Sequence, residues 1–370
     1  WGYEPAHSVG VGEFELTSVS NPVKISSMDD YAYIVAELGE DNQAFAGKTV
    51  LLTGSHGFLG RIYQQYFRYL NEKVLKNPVR VLCADNLVAG TSFDSSPAEF
   101  THLVWDITQH PSEMVDSVLE DKHIDYLINA AGLASPLVYL TRAFETLSVS
   151  VQGTMRMLEL CRDRKVGKSL FFSSSEVYGS PDLVPTPETY VGRISSHTKR
   201  SAYDLGKLCI QTLCDDANEK WGVNAKVVVP FNVIAPTKPD GRVLPGHFER
   251  LIRGQKMRVF TPGDQTRTFC WFSDFLVGSI KVLLHGDGTP VNVGNDQNEV
   301  SMLELAYKIE QVTGLKDMVE LVPPTAAYVY EPKRRCPDLT KARTQLGYNP
   351  KVSLDEALSK FWAWAKVNYK

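Results

Sequence analysis

No run of about 18 apolar residues occurs in this 370-residue chain, so no stretch reads as a membrane-spanning helix. No block of lysine and arginine occurs either, and the net charge is −4; both argue against general nucleic-acid binding. Cysteine is sparse and scattered. Cys83, Cys161, Cys209, Cys214, Cys270 and Cys336 form no Cys-x-x-Cys pair, and none stands at zinc-ligand spacing from a histidine. No metal cluster or disulfide framework is therefore expected. Most of the six lie in apolar runs, as reduced, buried thiols of a cytosolic protein do. Internal repeats and low-complexity segments are also missing. The chain opens on Trp1 rather than Met, so the sequence is silent on any leader that preceded it.

What is present describes an ordinary globular protein with ample core: 43% of residues are hydrophobic and 22% charged. The length suggests about two domains. The organising stretch is residues 48–60. Thr49-Val-Leu-Leu52 is a short run of strand formers, Gly54, Gly57 and Gly60 follow at three-residue intervals, and a helical apolar pattern begins at Phe58. Strand, glycine turn and helix make the first part of a nucleotide-binding βαβ unit. A side chain at Gly54 or Gly57 would keep a pyrophosphate from the backbone N–H groups, and Gly60 lets the helix lie close on the strand. The helix N-terminus offers free donors and partial positive charge to phosphate. The spacing is Gly-x-x-Gly-x-x-Gly, not the commoner Gly-x-Gly-x-x-Gly, and three glycines alone could be a plain tight turn.

Strand-like runs recur at 79–85, 102–106, 126–132, 169–175 and 225–231, separated by helical patterns at 111–119, 142–164 and 202–221. Near-continuous apolar strands alternating with helices predict a parallel sheet covered on both faces. The second strand ends in Asp85, 25 residues past Gly60, where a carboxylate accepts from an adenosine ribose and repels a 2′-phosphate; this favours NAD over NADP. After Phe231 the texture changes to a loop-rich stretch (Pro236, Pro239, Gly241, Pro245, Gly246), a short helix at 247–253, a strand at 256–260, and amphipathic helices at 301–313 and 354–367. The fold class is α/β: a Rossmann-type doubly wound parallel sheet with a smaller α/β C-terminal substrate lobe. The expected division is an N-terminal extension at 1–46, an NAD-binding domain at 47–231 and a substrate lobe at 232–370, with part of 265–295 free to return to the first domain. Residues 1–22 show no period; 28–38 read as a short amphipathic helix, packed on its own protomer or against a partner.

Tyr203 and Lys207 share one helix face. A phenol, with an ordinary pKa of about 10, is too weak a base at neutrality unless a neighbouring ammonium and a cationic nicotinamide favour its ionised form. So arranged, it can take a proton from a sugar hydroxyl while hydride leaves the same carbon. The pair alone is common on ordinary helices. The upstream Ser173-Ser-Ser175, at a strand end, adds a hydroxyl to hold the same substrate oxygen.

Thr53-Gly-Ser-His-Gly-Phe-Leu-Gly60, Asp85-Asn86, Ser174-Ser-Glu-Val-Tyr-Gly179 and Tyr203-Asp-Leu-Gly-Lys207 together resemble the extended short-chain dehydrogenase/reductases, the NAD-dependent epimerases, dehydratases and decarboxylases of nucleotide sugars. The resemblance runs from about residue 47 to 370. It implies that Gly54, Gly57, Phe58, Leu59, Gly60, Asp85, Asn86, Asp106, Ile107, Ala130 and Ala131 hold the cofactor with Tyr203 and Lys207. It also implies that Arg200, Asn232, Arg242, Arg267 and Arg335 meet a nucleotide sugar, with Arg334-Arg335 and Arg242 on its diphosphate. Within the family the resemblance is to the UDP-glucuronate decarboxylases. It rests on Glu176 beside Ser175, where 4,6-dehydratases carry an Asp-Glu pair, and on Gln265-Thr-Arg-Thr-Phe269, Lys199-Arg-Ser-Ala-Tyr203 and the segment from Arg335-Cys-Pro-Asp338 onward. Asn129-Ala-Ala-Gly132, Pro236-Thr-Lys-Pro239 and the N-terminal extension depart from the family pattern.

The chemistry so implied is oxidation at C4 of a UDP-linked hexuronate, loss of CO2 and re-reduction. Ser174 would hold the C4 oxygen, Ser175 would face C5–C6, and Arg267 would hold the carboxylate. Glu176 would orient that carboxylate by repulsion or relay the returning proton. The alternatives are a 4-epimerase, a 4,6-dehydratase, which lacks its acid at Ser175, and a non-catalytic NAD-binding regulator, which would need no Ser174, Tyr203 or Lys207. The family resemblance further implies a homodimer built on helices 142–164 and 202–221.

Overall fold

The computed structural model describes residues 28–88, 97, 99–120, 123–239, 241–324 and 331–369. Residues 1–22, without period in the sequence, lie outside the described residues. The strands read from the sequence appear as β1 (Thr49–Thr53), β2 (Arg80–Asp85), β3 (Thr101–Val104), β4 (Tyr126–Asn129), β5 (Lys168–Phe172) and β6 (Ala225–Pro230). They form one parallel sheet in the order β6-β5-β4-β1-β2-β3, extended beyond β6 by a seventh strand, Val291–Val293. The order reverses at β1, so the crevice at the carboxyl ends of β1 and β4 is where a ligand fits.

Alternation along each strand sends its side chains to two separate cores. Val50 and Leu52 of β1, and Val81 and Cys83 of β2, join one cluster; Leu51, Leu82 and Ala84 join the other. The first core is covered by α1 (Met28–Leu38), α2 (Phe58–Lys73) and the helix Phe272–His285; the second by Glu113–Glu120, Thr154–Asp163 and Ser201–Trp221.

Residues 28–46, read from the sequence as outside the main fold, pack into the first core. Ile34 and Phe45 are fully buried there. Asp30 accepts from Trp271 Nε1 at 3.0 Å, and the Tyr33 hydroxyl donates to Asp274 at 2.6 Å. Asp274 also accepts from the backbone N–H groups of Lys351 and Val352, so this one carboxylate joins α1, the helix Phe272–His285 and the C-terminal segment.

Three elements differ from the sequence reading. The helix Phe272–His285 has no polar stripe, because it is covered all round, and amphipathic periodicity cannot find such a helix. The run 142–164 is helical but changes pitch: α-helix at Ala143–Ser148, π-helix at Val149–Gly153 and α-helix at Thr154–Asp163. The helix expected at 247–253 begins earlier, at Val243, with Pro245 in its first turn, where the missing N–H is no loss. Among the described residues no helix is long and apolar enough to cross a membrane. Five of the six cysteines are buried and all six are free.

Beyond β6 the chain builds small sheets. The important one joins Thr266–Thr268 to Glu299–Ser301 on one side, antiparallel, and to Arg334–Arg335 on the other, parallel. Its register sets Arg335 directly beside Arg267.

Candidate active site

The glycine turn between β1 and α2 is a cradle that only glycine completes. Gly54 has φ +63°, and a Cβ there would stand 2.4 Å from the backbone nitrogen of Ala131; a Cβ on Gly60 would stand 2.2 Å from the Gly54 carbonyl oxygen. Gly57 caps α2 in extended conformation. The cavity beside the turn is lined by Gly54, Gly57, Asp85, Asn86, Asp106, Ile107, Ala130 and Ala131, all expected from the sequence, and by Arg142, Glu145, Ser148 and Val149, which were not. The last two lie at the entry to the π-helical stretch. Asp85 is nearly buried and accepts backbone N–H bonds from His56 (2.8 Å) and Leu87 (2.7 Å), which fix the carboxylate at the cavity wall. Asn86 donates to Asp106 at 3.1 Å. Phe58 and Leu59 start α2 just behind the turn. Small residues, a helix N-terminus and a fixed acid suit a dinucleotide.

Across the crevice, the helix Ser201–Trp221 carries Tyr203 and Lys207 on its buried face. The Lys207 ammonium donates to the Phe172 carbonyl at the end of β5 (2.8 Å) and lies 5.8 Å from the Tyr203 ring centroid. Burial lowers its pKa to about 8. Tyr203 shares a hydrogen bond with Ser174, yet burial outweighs it and raises the phenol to about 12. The expectation that Lys207 lowers this pKa is therefore corrected for the protein alone: its ammonium is spent on a carbonyl, and the phenol stays neutral. A cationic nicotinamide is then the group left to lower it. Tyr139, which the sequence did not single out, stacks on Tyr203 at 4.8 Å. Ser175 is buried at the start of the single turn Ser175–Tyr178.

Next to this pair three guanidiniums and two glutamates interlock. Arg335, 3% exposed, forks onto both oxygens of Glu176, one of them at 2.9 Å. Arg200 binds Glu176 at 2.6 Å and also Glu331. Arg267 binds the other oxygen of Glu331 at 3.1 Å. Burial pushes the Glu176 carboxyl up, but Arg335 and Arg200 outweigh it and hold it at about 2. Burial, then Arg335, lowers Arg267 to about 10. In the protein alone Glu176 is ionised with both oxygens engaged, an arrangement suited to orientation and charge balance. Arg200, Arg267 and Arg335 are thus brought together. Arg242 meets Phe58 instead, its guanidinium 4.0 Å from the ring centroid. Asn232 donates to the Thr268 carbonyl at 2.9 Å. Arg334 faces the other way from Arg335 and pairs with Glu299, so only one of the two neighbouring arginines enters the site.

Asp204 was also not foreseen. Its Oδ1 is buried without a partner, and burial plus Glu176 raise its carboxyl to about 7. Among the described residues no group of His, Cys, Asp and Glu could hold a metal ion.

The sequence pattern of the NAD dependent epimerase/dehydratase family matches residues 50–294. The chain belongs to that family. It is an enzyme class that works with NAD, and the glycine cradle and its cavity fit that cofactor. The chain is 32% identical over 312 residues to UDP-glucuronic acid decarboxylase 5 of Arabidopsis thaliana, covering 84% of this chain and 86% of that one. Among solved structures it resembles the UDP-glucose 4-epimerase of Thermotoga maritima with UDP-glucose (TM-score 0.76, 23% identity, 87% of this chain and 100% of that one). It also resembles the UDP-glucuronic acid 4-epimerase of Bacillus cereus in complex with NAD (TM-score 0.72, 21% identity, 87% and 97%). At these identities the structural likenesses speak for the fold.

Asp204 yields a test of the site's electrostatics. Its folded pKa is raised, so it stabilises the fold most when protonated, and stability falls as pH rises toward about 7. Asp204→Asn, which needs no proton, should gain about 2–3 kcal/mol on wild type between pH 5 and pH 8 in urea unfolding. A difference that does not change with pH would show the carboxyl to be ionised throughout.

Proposed function

We propose that this enzyme decarboxylates a UDP-linked hexuronate, converting UDP-glucuronate to UDP-xylose. The observation that carries the reading is Arg267: a buried guanidinium already holding a carboxylate, linked through Arg200 and Tyr139 to Tyr203. The similarity to a UDP-glucuronic acid decarboxylase supports it.

Bound NAD supplies reversible hydride acceptance at the nicotinamide. Tyr203 takes the proton of the sugar C4 hydroxyl, and Ser174 holds that oxygen against the phenol. Lys207 fixes the helix face on β5 and adds positive charge. The C4 ketone is β to the carboxylate, so when the C5–C6 bond breaks its electron pair enters the C4–C5 enolate and CO2 leaves. Arg267 holds the carboxylate in position for that cleavage, and Glu176 keeps Arg200 and Arg335 in place. A proton from water then returns to C5, and Tyr203 gives its proton back to the C4 oxygen; the hydride that C4 regains would come from the bound cofactor, leaving it oxidised as it began.

The test is to supply UDP-glucuronate and follow CO2 and the nucleotide product. Wild type should release CO2 with a UDP-pentose. Tyr203→Phe should lose about 10²–10⁴-fold in all turnover. Arg267→Ala should slow CO2 release about 10²–10³-fold while reduced nicotinamide still forms. Recovery of UDP-galacturonate without CO2 would favour a 4-epimerase using the same Tyr203 and Lys207. Full CO2 release by Arg267→Ala would remove that residue from the scheme.

We also propose a homodimer through the helical run 143–163 and the helix Ser201–Trp221. Phe144 (89% exposed), Met155 and Leu208 lie uncovered on these elements, an apolar face that a second copy would bury. Sedimentation should give a dimer for wild type and a monomer for Phe144→Glu combined with Met155→Glu; a wild-type monomer would refute the pairing.

A further inference from the structure

The carboxylate on Arg267 belongs to the protein itself. Glu331 sends one oxygen to Arg200 and the other, at 3.1 Å, to Arg267, so a single carboxylate bridges two guanidiniums. Arg200 lies 5.9 Å over the Tyr139 ring, and Tyr139 stacks on Tyr203. Glu331 is therefore bound a short way from the phenol that acts on the sugar. The two glutamates of the cluster are not equivalent. Glu176 accepts from both ends of the Arg335 fork as well as from Arg200, and its side chain is 16% exposed. Glu331 pairs with Arg200 and Arg267 but forms no ion pair with Arg335, and its side chain is 26% exposed. It is the partner that can leave.

We propose that Glu331 is an internal stand-in for the sugar carboxylate: it holds the subsite between Arg200 and Arg267 in the ligand-free enzyme, and a hexuronate takes its place. The inference rests on the reading of function above and adds the residue that sets its charge selectivity. A hexuronate replaces one carboxylate by another, so the buried guanidiniums stay compensated. A neutral hexose brings no such group; it either leaves Glu331 in place or strips Arg267, 9% exposed, of its counter-charge, which is costly. Charge-assisted bonds to guanidinium are strong enough for the internal carboxylate to compete measurably with substrate.

The experiment uses NAD-loaded enzyme in the Tyr203→Phe background, so that binding is read without turnover. Calorimetry compares UDP-glucuronate and UDP-glucose with and without Glu331→Gln. Removing the competitor should tighten UDP-glucuronate about tenfold and change UDP-glucose by less than about twofold. Glu331→Asp, whose shorter side chain cannot bridge both arginines, should give a smaller gain in the same direction, and it keeps the test available if the amide variant folds poorly. Unchanged or weaker UDP-glucuronate binding, or equal shifts for both sugars, would overturn the inference and make Glu331 a fixed counter-ion. CO2 release by wild type is scored separately. An enzyme that binds UDP-glucuronate without releasing CO2 fails the functional reading, while the affinity ratio still decides the role of Glu331. No binding of UDP-glucuronate to either protein would overturn both.

Discussion

Three guanidiniums drawn together, Arg267 and Arg335 buried and Arg200 half-buried, are the constraint around which this half of the molecule is built. Isolated charges do not survive in such a place, and breaking a buried pair costs about 3–5 kcal/mol. Arg267 and Arg335 are neighbours because the short strands Thr266–Thr268 and Arg334–Arg335 pair in parallel register. Their compensation recruits Glu176 from the turn after β5, Arg200 from the residue before the helix Ser201–Trp221, and Glu331 from just ahead of the last strand. One ionic cluster thus ties the end of the large sheet, the start of the helix bearing Tyr203 and Lys207, and the C-terminal small sheet.

The crevice these elements enclose has two chemically distinct sides. On the β1–β2 side, glycines, small alanines and a fixed Asp85 leave room and backbone donors for a dinucleotide. On the β5–β6 side, Ser174, Tyr203 and Lys207 sit in low-dielectric surroundings that keep the phenol protonated until positive charge arrives. An uncharged resting base is consistent with a reaction that starts only once the cofactor is bound. The arginine cluster lies next to Tyr203 through Tyr139, so the proposed proton removal and carboxylate binding would share a wall.

Much of the fold was legible in the sequence because buried parallel strands are written as apolar runs and their helices as amphipathic ones. The glycine turn, Asp85 and the Tyr203–Lys207 face could be named in advance; Arg200, Arg267, Arg335 and Glu176 were named singly from the family resemblance, with Arg335 on a diphosphate, and their joining into one ionic cluster was not. What could not be read has a common physical cause. The helix Phe272–His285 is buried on nearly every side, and residues 28–46 are held in the core by partners more than 200 positions away, such as Tyr33 on Asp274. Tyr139, Asp204 and Glu331 carry no local pattern; they matter because the topology brings them to one place. That Lys207 by itself does not lower the Tyr203 phenol was hidden for a related reason: helical spacing sets Lys207 near the ring, but only the fold reveals that its ammonium bonds the Phe172 carbonyl.

The central claim is spatial: the acid end of the sugar meets Arg267 while its C4 hydroxyl meets Tyr203. The most direct measurement is a crystal structure of the Tyr203→Phe enzyme with NAD and UDP-glucuronate, in which the complex is held unreacted. The account predicts the sugar carboxylate within hydrogen-bond distance of the Arg267 guanidinium and C4 facing the nicotinamide. A carboxylate turned to solvent, with Arg267 still on Glu331, would contradict it.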